Sequence, residues 1–118
     1  MSAKYNLVCE QGATFNFQFQ IQDNNNGVVT PWNLTNYDVI MTVKPYINST
    51  TTTLLATNTN GYVSIDGPNG RVTVTVPYAV TAGFEANRQV YDMLFDSGTV
   101  VTRVLEGTFV VTPAVGNA

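Results

Sequence analysis

Apolar and polar residues alternate with a period of two over most of this chain, and a period near 3.6 is almost nowhere present. Successive side chains on a strand point to opposite faces, so this alternation predicts half-buried β-strands. The clearest run is TFNFQFQIQ, Thr14 to Gln22: Phe15, Phe17, Phe19 and Ile21 make an apolar face, and Asn16, Gln18, Gln20 and Gln22 a polar one. A shorter strand is expected before it, from Tyr5 to Glu10, stopped by Gln11-Gly12. After it, Asp23–Gly27 (DNNNG) is a turn signal ending in Asn-Gly. Val28-Val29 resumes an extended piece before Pro31, and Trp32 and Leu34 read as core anchors. A strand from Tyr37 to Lys44 places Tyr37, Val39, Met41 and Val43 on one face, and Pro45 closes it because proline cannot donate to a central ladder.

The second half continues in the same period. Residues 46–60 predict two short edge pieces, at Tyr46-Ile47 and Leu54-Leu55, around a Thr-rich loop. Tyr62–Ile65 and Arg71–Val76 form a hairpin about the turn Asp66–Gly70, with Val72, Val74 and Val76 inward. The stretch PYAVTAGFEANR is the one candidate helix, with Pro77 near its start, Thr81 as N-cap and Phe84 as an apolar contact; it extends no further than about two turns. Gln89–Phe95 and Thr99–Leu105 flank the tight turn Asp96-Ser97-Gly98. Glu106–Thr112 is the final strand, in which Gly107 signals a bulge or close packing. About eight or nine short strands, spaced by about 8–12 residues, with one helical turn, predict an all-β chain: an immunoglobulin-like antiparallel β-sandwich, with a small barrel as the alternative. The expectation is a single domain over residues 1–118.

Composition changes the picture mainly at the surface. Only 11% of residues are charged, against a usual share of about 25%. Neutral hydrogen-bonding residues replace them, with 17 Thr and 13 Asn. Such a surface repels partners weakly and offers many neutral hydrogen bonds. The net charge is −3, and the five basic residues (Lys4, Lys44, Arg71, Arg88, Arg103) are spread along the chain. Nucleic-acid binding needs clustered cations, so that class is excluded. No segment approaches the ~18 apolar residues of a membrane span, and the opening MSAKYNLV has no apolar signal-peptide core.

Candidate chemistry is sparse. There is no histidine, which removes Ser-His-Asp and Cys-His catalysis and the commonest zinc ligand. Cys9 is the only cysteine and falls in an apolar phase with Leu7, the pattern of a small buried thiol. Of the eight acids, Asp23, Asp66 and Asp96 lie in turns, and Asp38 and Asp92 follow tyrosines on strands; no pair is singled out for acid–base work. DNNNG resembles the start of a calcium loop, but the twelfth position is Leu34 where an EF-hand needs Glu. Gly67–Gly70 lacks the spacing and the Lys-Ser/Thr ending of a phosphate loop. No cofactor or metal is expected. Sugar binding has more to offer: Tyr46, Tyr62 and Tyr78 lie near loops and would serve as platforms.

The order of features carries a resemblance. CEQGATFNFQFQI, WNLTNYDVIMTVK, a GYVSI…GRVTVTV hairpin and VYDMLFDSGTVVTRVLEGTFVVTPAV resemble a group of short structural proteins from tailed bacteriophages. The most specific part is Tyr91-Asp92, Gly98, then Val101, Arg103, Leu105, Gly107, Val111 and Pro113. Similar β-sandwiches open the upper baseplate proteins of some phages. The resemblance implies a non-enzymatic virion component without an active site, located in the particle either as a capsid decoration or cement protein or as a tail or baseplate part. Its implied partners are major capsid or tail/baseplate proteins and further copies of itself, with no nucleic acid and no membrane. The alternative is a host-surface carbohydrate-binding module. Candidate interface residues are Asn16, Gln18 and Gln20 on the amide face, Thr51 and Thr52 in the Thr-rich loop, and Arg103. Arg103 is in phase with Val101 and Leu105, so it is expected among inward residues, where it needs an acidic partner, Asp92 or Glu106 being nearest, or an edge position; an intersubunit contact is the functional alternative to a structural ion pair.

Overall fold

The structure is a computed structural model that describes residues 3–25 and 27–115. Its strands in chain order are β1 (Ala3–Lys4), β2 (Leu7–Glu10), β3 (Phe15–Gln20), β4 (Gln22–Asn25), β5 (Val28–Pro31), β6 (Asp38–Lys44), β7 (Leu54–Thr57), β8 (Val63–Asp66), β9 (Arg71–Val76), β10 (Arg88–Asp96) and β11 (Val101–Thr112), with one helical turn, α1 (Tyr78–Thr81), before β10. Two sheets face each other. The larger has the order β1-β11-β10-β6-β7, with β2 also on β11; the smaller is β3-β9-β8. Among the described residues β4 and β5 pair only with each other, as a hairpin off the end of β3. The chain extends 48 Å along its longest axis, and β11, with 12 residues, is its longest strand, roughly 40 Å at about 3.3 Å per residue.

Alternation places the core between the sheets, and all-β architecture follows as expected. Val72, Val74 and Val76 of β9 are fully buried, opposite Val39, Met41 and Val43 of β6 and Met93 and Phe95 of β10. Aromatic rings cross the interlayer: Phe15 meets Phe109 edge-on at 5.3 Å between centroids, and Phe19 stacks on Phe95 at 6.4 Å. Leu34 is a core anchor as predicted, whereas Trp32 is half-buried against the core edge. Cys9 is fully buried as a free thiol, and burial, with Glu10 nearby, pushes its pKa up to about 11.

The connectivity explains the immunoglobulin-like reading. β3, β9 and β8 occupy the places of strands B, E and D, while β6, β10 and β11 take those of C, F and G, and β7 extends the second sheet. Both pieces of the first strand, β1 and β2, run parallel to β11. They are separated at Tyr5 and Asn6, where Gly107 of β11 passes close by. A Cβ on Gly107 would collide with the Tyr5 carbonyl and lie 3.1 Å from Asn6 Oδ1. The junction is bonded on every side: Tyr5 N donates to Glu106 O at 2.9 Å, Tyr91 Oη to Tyr5 O at 2.5 Å, and Thr108 N to Asn6 Oδ1 at 3.2 Å.

Several sequence expectations are corrected. The strand expected over Tyr5–Glu10 covers only Leu7–Glu10; Tyr5 and Asn6 form the break between it and β1, for the reason just given. Asp23–Asn25 belong to β4, so only the last positions of DNNNG form the turn; Asn26 lies outside the described residues. Tyr46-Ile47 forms no edge strand; residues 46–53 are turns, held by Ser49, while Leu54–Thr57 is a strand. Thr81 is the last residue of α1 and not its N-cap. Its buried hydroxyl donates to Ala13 O at 2.8 Å, tying the helix to the β2–β3 turn, and Pro77 stands at the cap position. The two strands expected over Thr99–Leu105 and Glu106–Thr112 are one, Val101–Thr112, with Thr99 and Val100 in the turn before it, because Gly107 marks a close approach and no interruption.

Candidate interaction surfaces

Asn16, Gln18 and Gln20 are exposed, as the alternation predicts, on the outer face of the small sheet beside Thr73, Thr75 and Ser64. Charge appears only at its end, with Arg71 and Asp66. There the amides are tied down: Gln20 Nε2 donates to Asn69 O at 2.8 Å, and Asn69 Nδ2 to Asp66 Oδ2 at 2.9 Å. The side chains of Asn16 and Gln18 bond to no described residue. This is a flat neutral face built from amides and hydroxyls.

Thr51 and Thr52 lie elsewhere, at the tip of the loop that joins β6 to β7, and both are exposed. Ser49, largely buried, stiffens that loop: its Oγ donates to Thr51 O and accepts from Thr51 N, both at 3.1 Å. Thr53 closes the loop by bonding its hydroxyl to Gln89, an inward amide of β10 that sequence reading did not single out.

Arg103 occupies a third place, and the inward expectation for it is wrong. Met93 pairs with Leu105 but Leu94 pairs with Arg103, so Val104 is an unpaired bulge residue. One extra residue reverses the alternation beyond it. Val104 therefore packs on the core edge, and the Arg103 side chain, 55% exposed, turns to the outer face of the large sheet. Its acidic partners are the two expected from the sequence. Arg103 Nε lies 3.4 Å from Asp92 Oδ2 and Nη1 lies 4.0 Å from Glu106 Oε2. Asp92 and Glu106 stand directly opposite each other across β10 and β11, so the guanidinium offsets a like-charge pair. These groups border an open groove of about 590 Å³. Lys4 and Lys44 line it as well, with Val90 and Leu94 as its apolar floor, which brings together three of the chain's five basic residues. Spacing gave no sign of this: Lys4, Lys44 and Arg103 come from strands far apart in the chain. Tyr91, beneath the groove, has its hydroxyl pushed up to about 12, first by burial and then by Tyr5.

The candidate interface residues thus fall on three separate surfaces and form no single site. Among the described residues no cluster of three or more His, Cys, Asp or Glu side chains comes together to hold a metal ion. Of the platform tyrosines, Tyr46 is exposed in the β6–β7 loop, Tyr62 is half-buried against the core, and Tyr78 is exposed on α1; no two of their rings pair.

Fold and surfaces together define an immunoglobulin-like β-sandwich whose distinctive chemistry lies in its outer faces. No protein-family model matches the chain, and no curated protein sequence matches it. Among solved structures, the N-terminal domain of phage TP901-1 ORF48 is similar over 92% of this chain and 85% of that one, with a TM-score of 0.51 and 13% identity.

Proposed function

We propose that this chain is a non-enzymatic structural component of a tailed-phage virion, built into the tail at the baseplate and held there by protein–protein contacts. The observation that carries this reading is the extent of the likeness to a phage domain, which spans nearly all of both chains and includes the β-sandwich as a whole. The sequence resemblance to short phage virion proteins points the same way. The surfaces suit the role: a neutral amide face and a mixed-charge groove offer two chemically different contact areas on one rigid body. A capsid decoration role has the same chemistry but lacks the support of the structural likeness.

Quantitative mass spectrometry of purified particles tests the proposal. A copy number near a dozen, in a multiple of three or six, is the expected result. Hundreds of copies would move the protein to the capsid surface. Absence from purified virions would overturn the structural reading.

A further inference from the structure

The small sheet ends on an unfilled position. In a constant-type sandwich the first strand lies beside B, completing an ABED sheet. Here β1 and β2 both join β11 on the other sheet, so β3 is an edge strand with nothing paired on its outer side among the described residues. The phase of its hydrogen bonds follows from Ile21, whose N–H donates to Gly70 O at 2.8 Å across the β9 side. Odd-numbered residues of β3 therefore turn their main-chain groups to β9, and Asn16, Gln18 and Gln20 turn theirs outward.

In composition this edge includes none of the residues that blunt edge strands. It is six residues long and contains no charge, proline or glycine. The other free edges are short: β7 and β8 have four residues each, β7 is followed by Asn58 and Asn60, which bond back to main-chain groups, and β8 ends at Asp66. Beside the β3 edge, Phe17 and Phe19 are only partly buried, and Tyr5, 54% exposed, packs on Phe17 at 5.5 Å.

We infer that the vacant position is filled by β3 of a second copy, antiparallel about a two-fold axis at Gln18, so that two three-stranded sheets become one of six. The alternating run from Thr14 to Gln22 is centred on Gln18. In this register Gln18 faces Gln18, and Asn16 of each copy faces Gln20 of the other. These are the residues whose main-chain groups point outward, so each pair exchanges both of its bonds. Phe17 then lies opposite Phe19 on the inner face, and amides meet amides on the outer face without like charges. A foreign strand would find no charge pattern here to select it, whereas self-pairing needs only the symmetry already present. The contact is isologous and consumes the edge, so it closes at two copies. The inference rests on the edge geometry alone; a monomer would refute it and leave the virion reading standing.

Sedimentation velocity on the full chain, from about 1 μM to about 1 mM, reads the association directly. Two double variants at exposed positions test the register. Asn16→Lys with Gln20→Lys sets like charges opposite each other twice and should weaken the dimer by about tenfold or more. Asn16→Lys with Gln20→Glu sets opposite charges in the same two pairs and should restore at least the wild-type association. Thermal unfolding verifies that both variants are folded. A chain that stays monomeric throughout, a dimer indifferent to both variants, or equal weakening by both would each overturn the inference. So would a dimer that forms only with another segment or protein paired to β3.

Discussion

Replacing Gly107 by alanine tests the junction that fixes the first strand to the large sheet. The added Cβ meets main-chain atoms, the Tyr5 carbonyl and its carbon, the latter at 3.0 Å. Backbone cannot rotate aside as a side chain would, so the segment around Tyr5 must move off β11. Overpacking of this kind costs about 1–3 kcal/mol. Moving Tyr5 also breaks its bond to Glu106 and strands the Tyr91 hydroxyl, which is buried and otherwise bonded to Tyr5 O. Each lost bond adds about 1 kcal/mol. The expected destabilisation is about 3 kcal/mol, because relaxation of the junction recovers part of the strain. At this chain length that lowers Tm by roughly 10 °C. Urea unfolding followed by Trp32 fluorescence measures it. Tyr91→Phe alone should cost about 1 kcal/mol, and less once Gly107→Ala has already displaced its acceptor. The double variant should therefore be more stable than the sum of the singles by at least about 0.5 kcal/mol. A Gly107→Ala chain within about 0.5 kcal/mol of wild type, or strict additivity, would refute the reasoning.

Two further outcomes follow from the same framework. Burial favours the neutral forms of Cys9 and Tyr91, raising them from 9.0 to about 11 and from 10.0 to about 12. Their contribution is complete below the ordinary values and is lost as pH rises through the folded ones, so stability should fall between pH 9 and 12, by about 2–3 kcal/mol per group. Urea midpoints across that range measure the fall; Cys9→Ala should remove its lower part, and a flat midpoint up to pH 11 would contradict the burial argument. Arg103→Ala, by contrast, removes an exposed ion pair and should change stability by less than about 1 kcal/mol; a loss above about 2 kcal/mol in the same assay would mean the guanidinium is a packing element.

The core was legible because alternation is local. Val39, Met41 and Val43, or Val72, Val74 and Val76, declare their face within one strand, and each is buried. The errors fall where the deciding partner is distant. Alternation alone turns Arg103 inward; the bulge at Val104, invisible in that pattern, reverses the phase. Thr81 reads as an N-cap beside an apolar run, yet its hydroxyl is claimed by Ala13, 68 residues away in the chain. Gly107 suggested interruption or close packing; only the position of Tyr5 decides between them. The surfaces divide in the same way. Exposure of Asn16, Gln18 and Gln20 is a property of one strand and was readable, but the grouping of Lys4, Lys44 and Arg103 depends on which sheet the first strand joins.

That choice of sheet also joins the two unusual features of the surface. By pairing with β11, the first strand brings Lys4 to the rim of the groove beside Asp92, Arg103 and Glu106. By not pairing with β3, it leaves the amide-bearing strand without a paired neighbour on its outer side among the described residues. The charged groove and the neutral edge are thus two consequences of one pairing decision, on opposite sheets of the sandwich. An uncharged open edge is a liability in a chain meant to stay alone, and β7 and β8 show that this chain keeps its other free edges short. The contrast within one molecule is what argues for the proposed self-pairing of β3, while the groove, with its charges of both signs, is a chemically different surface on the other sheet.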